Sequence, residues 1–371
     1  MKIINAQIFG ENGRFEEKDV CMENGLFADS SDGEVLDASG LYAIPGLVDI
    51  HFHGCMGYDF CDGTVEAFDA IANYEAENGV TTICPATMTL GEGTLERIFK
   101  AAGAYKNTQG SVLAGINMEG PFVAMKKKGA QNGKYIRKPD VAMFRKLQNL
   151  CGGLIKQVAV APEEDDEFEF IEALKDEVVL SVAHTCCDYC RAREAFRRGS
   201  NHVTHLYNAM NGFTHREPGV VGAACDNENV FVELICDGVH IHPATVRTTF
   251  KMFGNDRICM ISDSMMATGM ADGKYALGGQ DVFVTGKKAV LEDGTIAGSA
   301  SNLMDCLRVA VKEMQIPLES AVKACTLNPA KSLGLDDMHG SITTGKYANL
   351  VLLDKDLNIV KVFIKGKEYC R

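Results

Sequence analysis

Between about residue 48 and residue 335, short apolar runs alternate with longer segments in which apolar residues recur at helical spacing. A short, mostly apolar run predicts a buried strand, whereas apolar residues three and four positions apart predict an amphipathic helix. Segments 65–78, 142–151, 168–175 and 189–198 have the helical pattern. The eight apolar runs are 46–53, 81–88, 112–118, 157–161, 178–183, 202–205, 230–236 and 257–262.

Eight strands that alternate with helices over about 250 residues or more are typical of a (β/α)8 barrel. We therefore predict an α/β fold built on a TIM-like barrel. A doubly wound parallel sheet is the competing arrangement, because it uses the same alternation. That fold normally has a glycine-rich loop after its first strand, and no such loop follows the run 46–53. The pattern therefore favours the barrel.

The two ends of the chain have a different pattern of short alternating segments, and in residues 1–45 these are separated by Asn-Gly and Asp-Gly turns. This pattern is typical of β-hairpins. We expect residues 1–47 and 339–371 to form one small β-rich domain, a β-sandwich, beside a catalytic barrel domain at 48–338. A glycine-rich, strand-like stretch at 273–298 predicts a hairpin insertion. It would be either a lid or further strands of the small domain.

Composition and charge narrow the class of protein. The 371-residue chain is 46% hydrophobic, has no run of about 18 apolar residues and lacks an apolar N-terminal stretch, so we expect no membrane partner and a cytoplasmic location. The fourteen cysteines are scattered, and several lie in apolar runs, which favours buried free thiols. A net charge of −13 argues against a nucleic-acid partner. The short basic cluster at 126–138 is suited to a small anionic substrate.

Six of the eight predicted strands end in a histidine, an aspartate or a glutamate, and five of the nine histidines are among these residues. In a barrel, catalytic groups lie at the carboxyl ends of the strands. Two histidines one residue apart project from the same face of a strand. Imidazoles that converge there can hold a transition metal. The residues at these ends are His51, His53, Glu119, His184, His205, His240 and Asp263.

The metal-binding interpretation competes with a structural one. His51 and His53 would then be solvent-facing residues of a half-buried strand, and His184 and His205 would be hydrogen-bonded core residues. We favour metal ligands because a carboxylate such as Glu119 is costly to bury without a cationic partner. The position of His184 and His205 at the ends of adjacent strands also favours metal ligands.

Asp263 has two possible roles at the eighth strand end. It is either the N-cap of the segment that follows it or a general base beside a metal, and we favour the base. His202 lies three residues before His205. We expect it to point to the other side of its strand and to have a structural role.

These strand ends resemble the amidohydrolase superfamily, which has His-x-His on strand one, histidines on strands five and six, and aspartate on strand eight. The chain is also similar, over essentially its whole length, to the family of N-acetylglucosamine-6-phosphate deacetylases. The strings that carry this second resemblance are Glu-Gly-Pro-Phe at 119–122, Lys-Gly-Ala-Gln-Asn at 128–132, His-Leu-Tyr-Asn-Ala-Met at 205–210, Arg-Glu-Pro-Gly at 216–219 and Asp-Gly-Val-His at 237–240.

The resemblance implies a two-domain enzyme, usually a homodimer, that hydrolyses the acetamide of N-acetyl-D-glucosamine 6-phosphate in amino-sugar catabolism. The products would be glucosamine 6-phosphate and acetate. Asp263 would be the catalytic acid/base. The substrate contacts that it implies are Ala130, Asn208, Ala209, Arg216, His240, Ile296, Ala297 and Gly298.

The resemblance also implies a divalent metal cofactor, Zn2+ or Fe2+, with Mn2+ or Co2+ as alternatives. Glu119, His184 and His205 would bind the principal ion. Some members of the family lack the His-x-His pair and bind one metal. Because this chain keeps His51 and His53, a second ion bridged by Glu119 is the corresponding prediction, with one or two ions per subunit.

Two other functions stay open at this point. One is a metal hydrolase that acts on another acetylated amino-sugar phosphate or on a cyclic amide. The other is a non-catalytic binding protein on the same barrel, since a fold alone does not give a function. A binding protein should have lost ligands or the base, and this chain has all of them.

Overall fold

The computed structural model describes residues 1–370, and within them eight parallel strands form the barrel. Each coincides with one of the predicted apolar runs. Most of their residues are fully buried, as expected for strands covered on both faces. The barrel strands are Leu47–Asp49, Val80–Ile83, Ile116–Met118, Ile155–Val160, Val179–Val182, His202–Val203, Phe231–Ile235 and Ile258–Ile261.

Backbone contacts join these strands into a closed ring. The third to eighth strands form one parallel sheet, and the first two form another with the short strand Val112–Leu113. A parallel bridge between Ala86 and Asn117 connects the two sheets. On the other side, the N–H of Asp263 donates to the carbonyl of His51 over 3.0 Å. The eighth strand therefore meets the first, as the predicted barrel requires.

Helices follow the strands, and several of them start at a residue whose side chain caps the helix. Thr64 accepts a hydrogen bond from the Ala67 N–H, and Asp188 accepts one from the Arg191 N–H. Among residues 1–370, no helix combines the length and apolar character that a membrane crossing needs. The helices are Val65–Glu77, Glu92–Ala104, Val141–Leu150, Glu169–Leu174, Tyr189–Arg198, Gly219–Cys225, Pro243–Phe253, Leu303–Lys312, Leu318–Cys325 and Leu327–Ser332.

The two ends of the chain meet in one sheet beside the barrel. Leu350–Leu353 pairs antiparallel with Tyr42–Pro45, which pairs in turn with the first strand of the chain. A sandwich of two sheets and the division into two domains stay predictions. The strands of this sheet are Lys2–Phe9, Phe15–Glu23, Leu26–Ala28, Val35–Asp37, Tyr42–Pro45, Leu350–Leu353, Ile359–Ile364 and Lys367–Glu368.

The glycine-rich insertion forms an antiparallel sheet of its own, which carries a small apolar core. Leu277 and Ile296 of this sheet reach the cavity described below. A further short hairpin pairs Gly54–Cys55 with Tyr58–Asp59. The strands of the insertion are Gly273–Leu277, Gln280–Thr285, Lys288–Val290 and Ile296–Ser299.

Glu75, on helix Val65–Glu77, is a buried acid outside the barrel mouth. Neither of its carboxylate oxygens has a hydrogen-bond partner within residues 1–370. Burial, together with the nearby Asp49 carboxylate, raises the pKa of Glu75 well above its usual 4.5. The folded protein therefore holds this proton more tightly than the unfolded chain does. The resulting stability is greatest below the usual pKa and is lost as the pH rises.

We expect Glu75→Gln to raise the free energy of unfolding by about 2 kcal/mol near pH 7.5, because the amide has no proton to lose. The gain should vanish near pH 4.5, the ordinary pKa of the group. Denaturant unfolding at both pH values measures it. Glu66→Gln, on the exposed first turn of the same helix, is the control. An equal gain at both pH values would contradict this explanation.

Candidate metal centre and active site

The side chains predicted at the strand ends meet at the carboxyl end of the barrel. All of them lie just beyond the last residue of a barrel strand. In residues 1–370, six of them form two groups of three, and the ligand atoms of each group lie within 4.8 Å of one another. All six are buried. The two groups are Glu119, His184 and His205, and His51, His53 and Asp263.

The first group is tightly packed. Glu119 Oε1 lies 3.0 Å from His184 Nε2 and 3.2 Å from His205 Nε2. The two ring nitrogens are 3.2 Å apart. Three atoms from three different strand ends therefore surround one small volume. These are the three residues that the family resemblance implies for a principal metal.

His184 indicates that this volume suits a cation. Its Nδ1 lies 2.8 Å from the carbonyl oxygen of Lys127, and because a carbonyl only accepts, Nδ1 must donate. A neutral ring then presents an unprotonated Nε2 to Glu119 and His205. Acceptor atoms at such distances repel one another unless a cation lies among them. The donor set fits a divalent transition metal, for which imidazole and carboxylate are common ligands.

The second group shares Glu119 with the first. His51 Nε2 lies 3.5 Å from Glu119 Oε1 and 3.8 Å from Asp263 Oδ1. His53 Nε2 lies 3.3 Å from Glu119 Oε2 and 3.4 Å from Asp263 Oδ1. His51 Nε2 is buried and has no hydrogen-bond partner in the part of the chain that the structure describes. An unpartnered nitrogen facing two carboxylates fits a second cation, with Glu119 as the bridge.

Both carboxylates of the site are ionised near neutral pH. Burial alone would raise the pKa of Glu119, but the positive charge of His51 and the contact with the His184 ring outweigh burial and hold this pKa well below its usual value. Burial alone would also raise the pKa of Asp263. The hydrogen bond with His53 and the charge of His51 outweigh burial, so the pKa of Asp263 lies below its usual value. Two ionised carboxylates in one buried cluster attract a divalent cation.

Backbone strain is concentrated at the same strand ends. His184, His205 and Asp263 have φ angles of +43°, +28° and +50°, in the left-handed region. Residues other than glycine adopt this region at a cost of about 1–3 kcal/mol each, and they stay there only where their surroundings fix them. For Asp263, the Ser299 N–H donates to its carbonyl over 2.7 Å. Such strain is typical of functional sites.

A cavity of about 530 Å³ opens onto this cluster. His53, Glu119, His184, His205 and Asp263 line it. His51 is fully buried and lies behind them. Six of the eight predicted substrate contacts also line the cavity: Ala130, Asn208, Ala209, His240, Ile296 and Gly298.

Two predicted substrate contacts do not line the cavity within residues 1–370. Ala297 is fully buried in the core of the insertion, because alternate residues of its strand face opposite sides and its neighbours Ile296 and Gly298 face the cavity. Arg216 lies in the exposed segment 211–217. Its guanidinium has no ion-pair partner among the described residues.

Three lysines also line the cavity: Lys126, Lys127 and Lys128. The sequence indicated that this basic cluster suits an anionic substrate, and the structure places it at the candidate site. Lys127 Nζ donates to the Met210 carbonyl over 2.9 Å, whereas Lys126 is exposed. The positive charge at the cavity therefore comes from lysines.

His240 is fixed beside the cavity by Asp237. Its Nδ1 lies 2.7 Å from Asp237 Oδ2, and the same carboxylate accepts the N–H groups of Val239 and His240. Burial lowers the pKa of His240, but the hydrogen bond to Asp237 outweighs burial and raises it. With Nδ1 bonded to Asp237, Nε2 is the ring nitrogen left for a substrate atom.

Sequence reasoning did not single out two buried residues that contact the site. Gln131 donates to Glu119 Oε2 over 2.8 Å and accepts the Thr89 N–H. Glu233 lies 2.8 Å from His51 Nδ1. Burial raises the pKa of Glu233, but the charge of His51 and hydrogen bonds from neighbouring histidines lower it far more. An acid in the apolar run 230–236 was the available signal, since a buried charge needs partners.

The expected orientation of His202 was wrong. We expected this ring to point away from the side of the strand that carries His205. It is fully buried instead, with Nε2 3.1 Å from Glu233 inside the barrel. The strand ends at Val203 and a turn follows, so strand alternation does not extend to His205.

A model of the amidohydrolase family matches residues 42–369, which is most of the chain. The chain belongs to the amidohydrolase family. The strand-end resemblance described above is thereby confirmed. Membership of the amidohydrolases implies a divalent metal, and the two groups of ligands are its candidate sites.

This amidohydrolase is similar to curated deacetylases of amino-sugar phosphates. N-acetylglucosamine-6-phosphate deacetylase of Bacillus subtilis (strain 168) is 40% identical over 329 residues, covering 87% of this chain and 83% of that protein. N-acetylgalactosamine-6-phosphate deacetylase of Escherichia coli O157:H7 is 32% identical over 326 residues, covering 87% and 86%. Each similarity therefore extends over most of both chains.

A solved structure extends the similarity to the fold. It is a mutant of N-acetyl-D-glucosamine-6-phosphate deacetylase from Mycobacterium smegmatis in complex with N-acetyl-D-glucosamine-6-phosphate. The TM-score is 0.92 at 30% identity, over 99% of this amidohydrolase and 98% of that chain. The TIM-like barrel predicted from the alternating runs is confirmed.

Proposed function

We propose that this amidohydrolase hydrolyses the acetamide bond of N-acetyl-D-glucosamine 6-phosphate, releasing acetate and glucosamine 6-phosphate. The observation that carries the proposal is the buried cluster of Glu119, His184 and His205, which lines the same cavity as Asp263. The B. subtilis relative, named for this activity, supports the choice of substrate. A small polar cavity with lysines along one side suits a phosphorylated sugar.

Glu119, His184 and His205 would hold the principal metal, and His51, His53 and Asp263 would hold a second one. When bound, a divalent ion supplies Lewis-acid chemistry, which polarises a carbonyl and makes water a stronger nucleophile near neutral pH. We propose Zn2+ or Fe2+, with Mn2+ or Co2+ as alternatives, because imidazole and carboxylate ligands suit all four.

Asp263 is the proposed acid/base. Its ionised carboxylate lines the cavity and is oriented by His53, so it can accept a proton from the water that attacks the acetyl carbon. A C–O bond forms in this step. Asp263 then returns the proton to the sugar nitrogen as the C–N bond breaks, which lets the amine leave in neutral form. Gly298 keeps room beside it, because a Cβ there would lie 3.0 Å from the Asp263 carbonyl oxygen.

Several other cavity residues would bind and orient the substrate. His240 Nε2 would donate to the acetyl oxygen as negative charge develops on that oxygen. Ala130, Ile296 and Gly298 would contact the sugar or the acetamide. Ala297 would contact the substrate only through its backbone, because its side chain is buried in the core of the insertion.

The phosphate would be bound by Asn208, Ala209 and Arg216, with added positive charge from Lys126 and Lys128. Asn208 and Ala209 line the cavity, and Arg216 follows them closely in the chain. A guanidinium can bind a phosphate through two hydrogen bonds. The guanidinium of Arg216 has no ion-pair partner among the described residues and lies in the exposed segment 211–217, which supports this role.

Substrate comparison tests the proposal. We expect kcat/KM for N-acetylglucosamine 6-phosphate to exceed that for unphosphorylated N-acetylglucosamine by about 100-fold or more, since charged hydrogen bonds contribute about 1.5–3 kcal/mol each. Acetate release from both sugars, from N-acetylgalactosamine 6-phosphate and from dihydroorotate measures it. Arg216→Ala should reduce the preference for phosphate without changing hydrolysis of the unphosphorylated sugar.

Other outcomes of this comparison point to other functions. A preference for N-acetylgalactosamine 6-phosphate would assign the activity named for the E. coli relative. Hydrolysis of dihydroorotate alone would indicate a cyclic amide hydrolase. A protein that binds no metal and hydrolyses none of the four would be a binding protein.

Three further points, on oligomeric state, location and domain organisation, complete the proposal. We propose a homodimer, on the resemblance to the deacetylases. We propose a cytoplasmic location, because all fourteen cysteines lie in the described chain as free thiols, the form that a reducing compartment maintains. We also propose two domains, with residues 1–47 and 339–371 forming a small β-sandwich domain.

A further inference from the structure

Glu233 joins side chains from several barrel strands below the candidate metal centre. It lies on strand Phe231–Ile235 and is fully buried. Each carboxylate oxygen accepts two hydrogen bonds. Oε2 accepts from His51 Nδ1 over 2.8 Å and from the His205 N–H over 3.1 Å. Oε1 accepts from Gln157 Nε2 over 2.8 Å and from His202 Nε2 over 3.1 Å.

The two oxygens have different neighbours. Oε2 contacts a member of each metal group, through the ring of His51 and the backbone of His205. Oε1 contacts Gln157 and His202, which belong to neither group. The carboxylate is therefore placed between the candidate ligands on one side and the barrel interior on the other.

The contact to His51 selects the nitrogen that faces the metal centre. An ionised carboxylate only accepts, so His51 Nδ1 must donate to Glu233. A neutral ring then carries its lone pair on Nε2, the atom that lies 3.5 Å from Glu119 and 3.8 Å from Asp263. A carboxylate that orients a ligating imidazole in this way also raises its basicity.

The contact to His205 holds a strained backbone. His205 has a φ of +28°, which a histidine adopts only where contacts fix it. The bond from its N–H to Glu233 is one such contact. Its Nε2 lies 3.2 Å from Glu119 Oε1, so a relaxed backbone would move this nitrogen out of the first group.

We propose that Glu233 is a positioning residue that holds one ligand of each metal group at once, so that both ions depend on a single buried carboxylate. The inference rests on one part of the proposed function, which is that divalent metal binds at the two groups. It adds a residue that has no contact with the cavity, since Glu233 is not among the described residues that line it.

Metal binding to three variants tests this role without any substrate. Metal-free protein would be titrated with Zn2+ in competition with a chromophoric chelator. We expect Glu233→Gln and Glu233→Asp to raise the dissociation constants of both ions by about 10–100-fold, the usual cost of losing a partner that orients a metal ligand. His202→Leu removes a donor from Oε1 only and should change both dissociation constants by less than about threefold.

The aspartate variant separates position from charge. It keeps the negative charge but is one methylene shorter, so it cannot reach the same four donors. If Glu233→Asp binds both ions as the wild type does, charge alone matters and the proposal is overturned. The same holds if His202→Leu weakens binding as much as the Glu233 variants do, because Glu233 would then be a general core residue.

Folding and activity are read out separately. Melting of the metal-free variants checks that each one folds, and the aspartate variant serves alone if the glutamine variant does not. The ¹⁵N-histidine spectrum of the Zn2+ form gives a second readout, in which the His51 Nδ1–H signal should shift or broaden in both Glu233 variants. Wild-type protein that binds metal normally but releases no acetate would contradict the proposed function and would not bear on Glu233. Glu233 variants that bind metal as the wild type does would overturn the role of Glu233 and would not bear on the proposed function.

Discussion

Asp263→Asn should lower the rate of acetate release by about 10²–10⁴-fold, the contribution typical of a general acid/base. The asparagine cannot accept the proton of the attacking water or return one to the sugar nitrogen. The metal that we propose for Glu119, His184 and His205 should remain, because Asp263 is not in that group. Acetate release and elemental analysis of the same preparation measure both effects.

Asp293→Asn is the matched control for this variant. Asp293 also lines the cavity, but it is not part of either metal group within residues 1–370. We expect its rate to stay within about threefold of the wild type. Near-normal turnover in Asp263→Asn with full metal content would contradict the assigned role of Asp263.

Glu119→Gln is expected to abolish both metal binding and activity. The two oxygens of Glu119 lie 3.0 to 3.5 Å from all four histidine Nε2 atoms of the centre. Removing this charge deletes a ligand of the first group and the bridge to the second. We expect the affinity for Zn2+ to fall by more than about 100-fold, beyond the usual cost of losing an outer contact. Chelator competition measures it.

Glu75→Gln serves as the control for this loss. Glu75 is equally buried, but it lies on the helix Val65–Glu77 and outside both metal groups. It should keep wild-type metal content and turnover. A Glu119→Gln protein that retained tightly bound metal would show that the carboxylate is not a ligand.

The barrel and its strand-end residues could be predicted because both depend on local sequence. Each apolar run ends next to the polar residue that it positions, as at His51 and Asp263. In a parallel barrel, all carboxyl ends share one mouth. The convergence of Glu119 with His184 and His205 therefore followed from the position of each residue in its own run, although 65 and 86 residues separate them from Glu119.

The contacts that support the site could not be predicted in the same way. The four donors of Glu233 come from other strands, up to 182 residues away, and no local pattern pairs them. His202 was placed wrongly because strand periodicity was extended through a turn. The exposed position of Arg216 depends on the path of the segment 211–217, which has no apolar pattern that would fix it.

The most direct test of the account measures metal content and acetate release on one preparation. Protein purified without chelator, stripped of metal and then reloaded with Zn2+ or Fe2+ would be assayed with N-acetylglucosamine 6-phosphate at each stage. We predict equal amounts of acetate and glucosamine 6-phosphate, loss of both with the metal, and recovery on reloading. Full activity in the stripped protein, or no acetate from the fully loaded protein, would contradict the account.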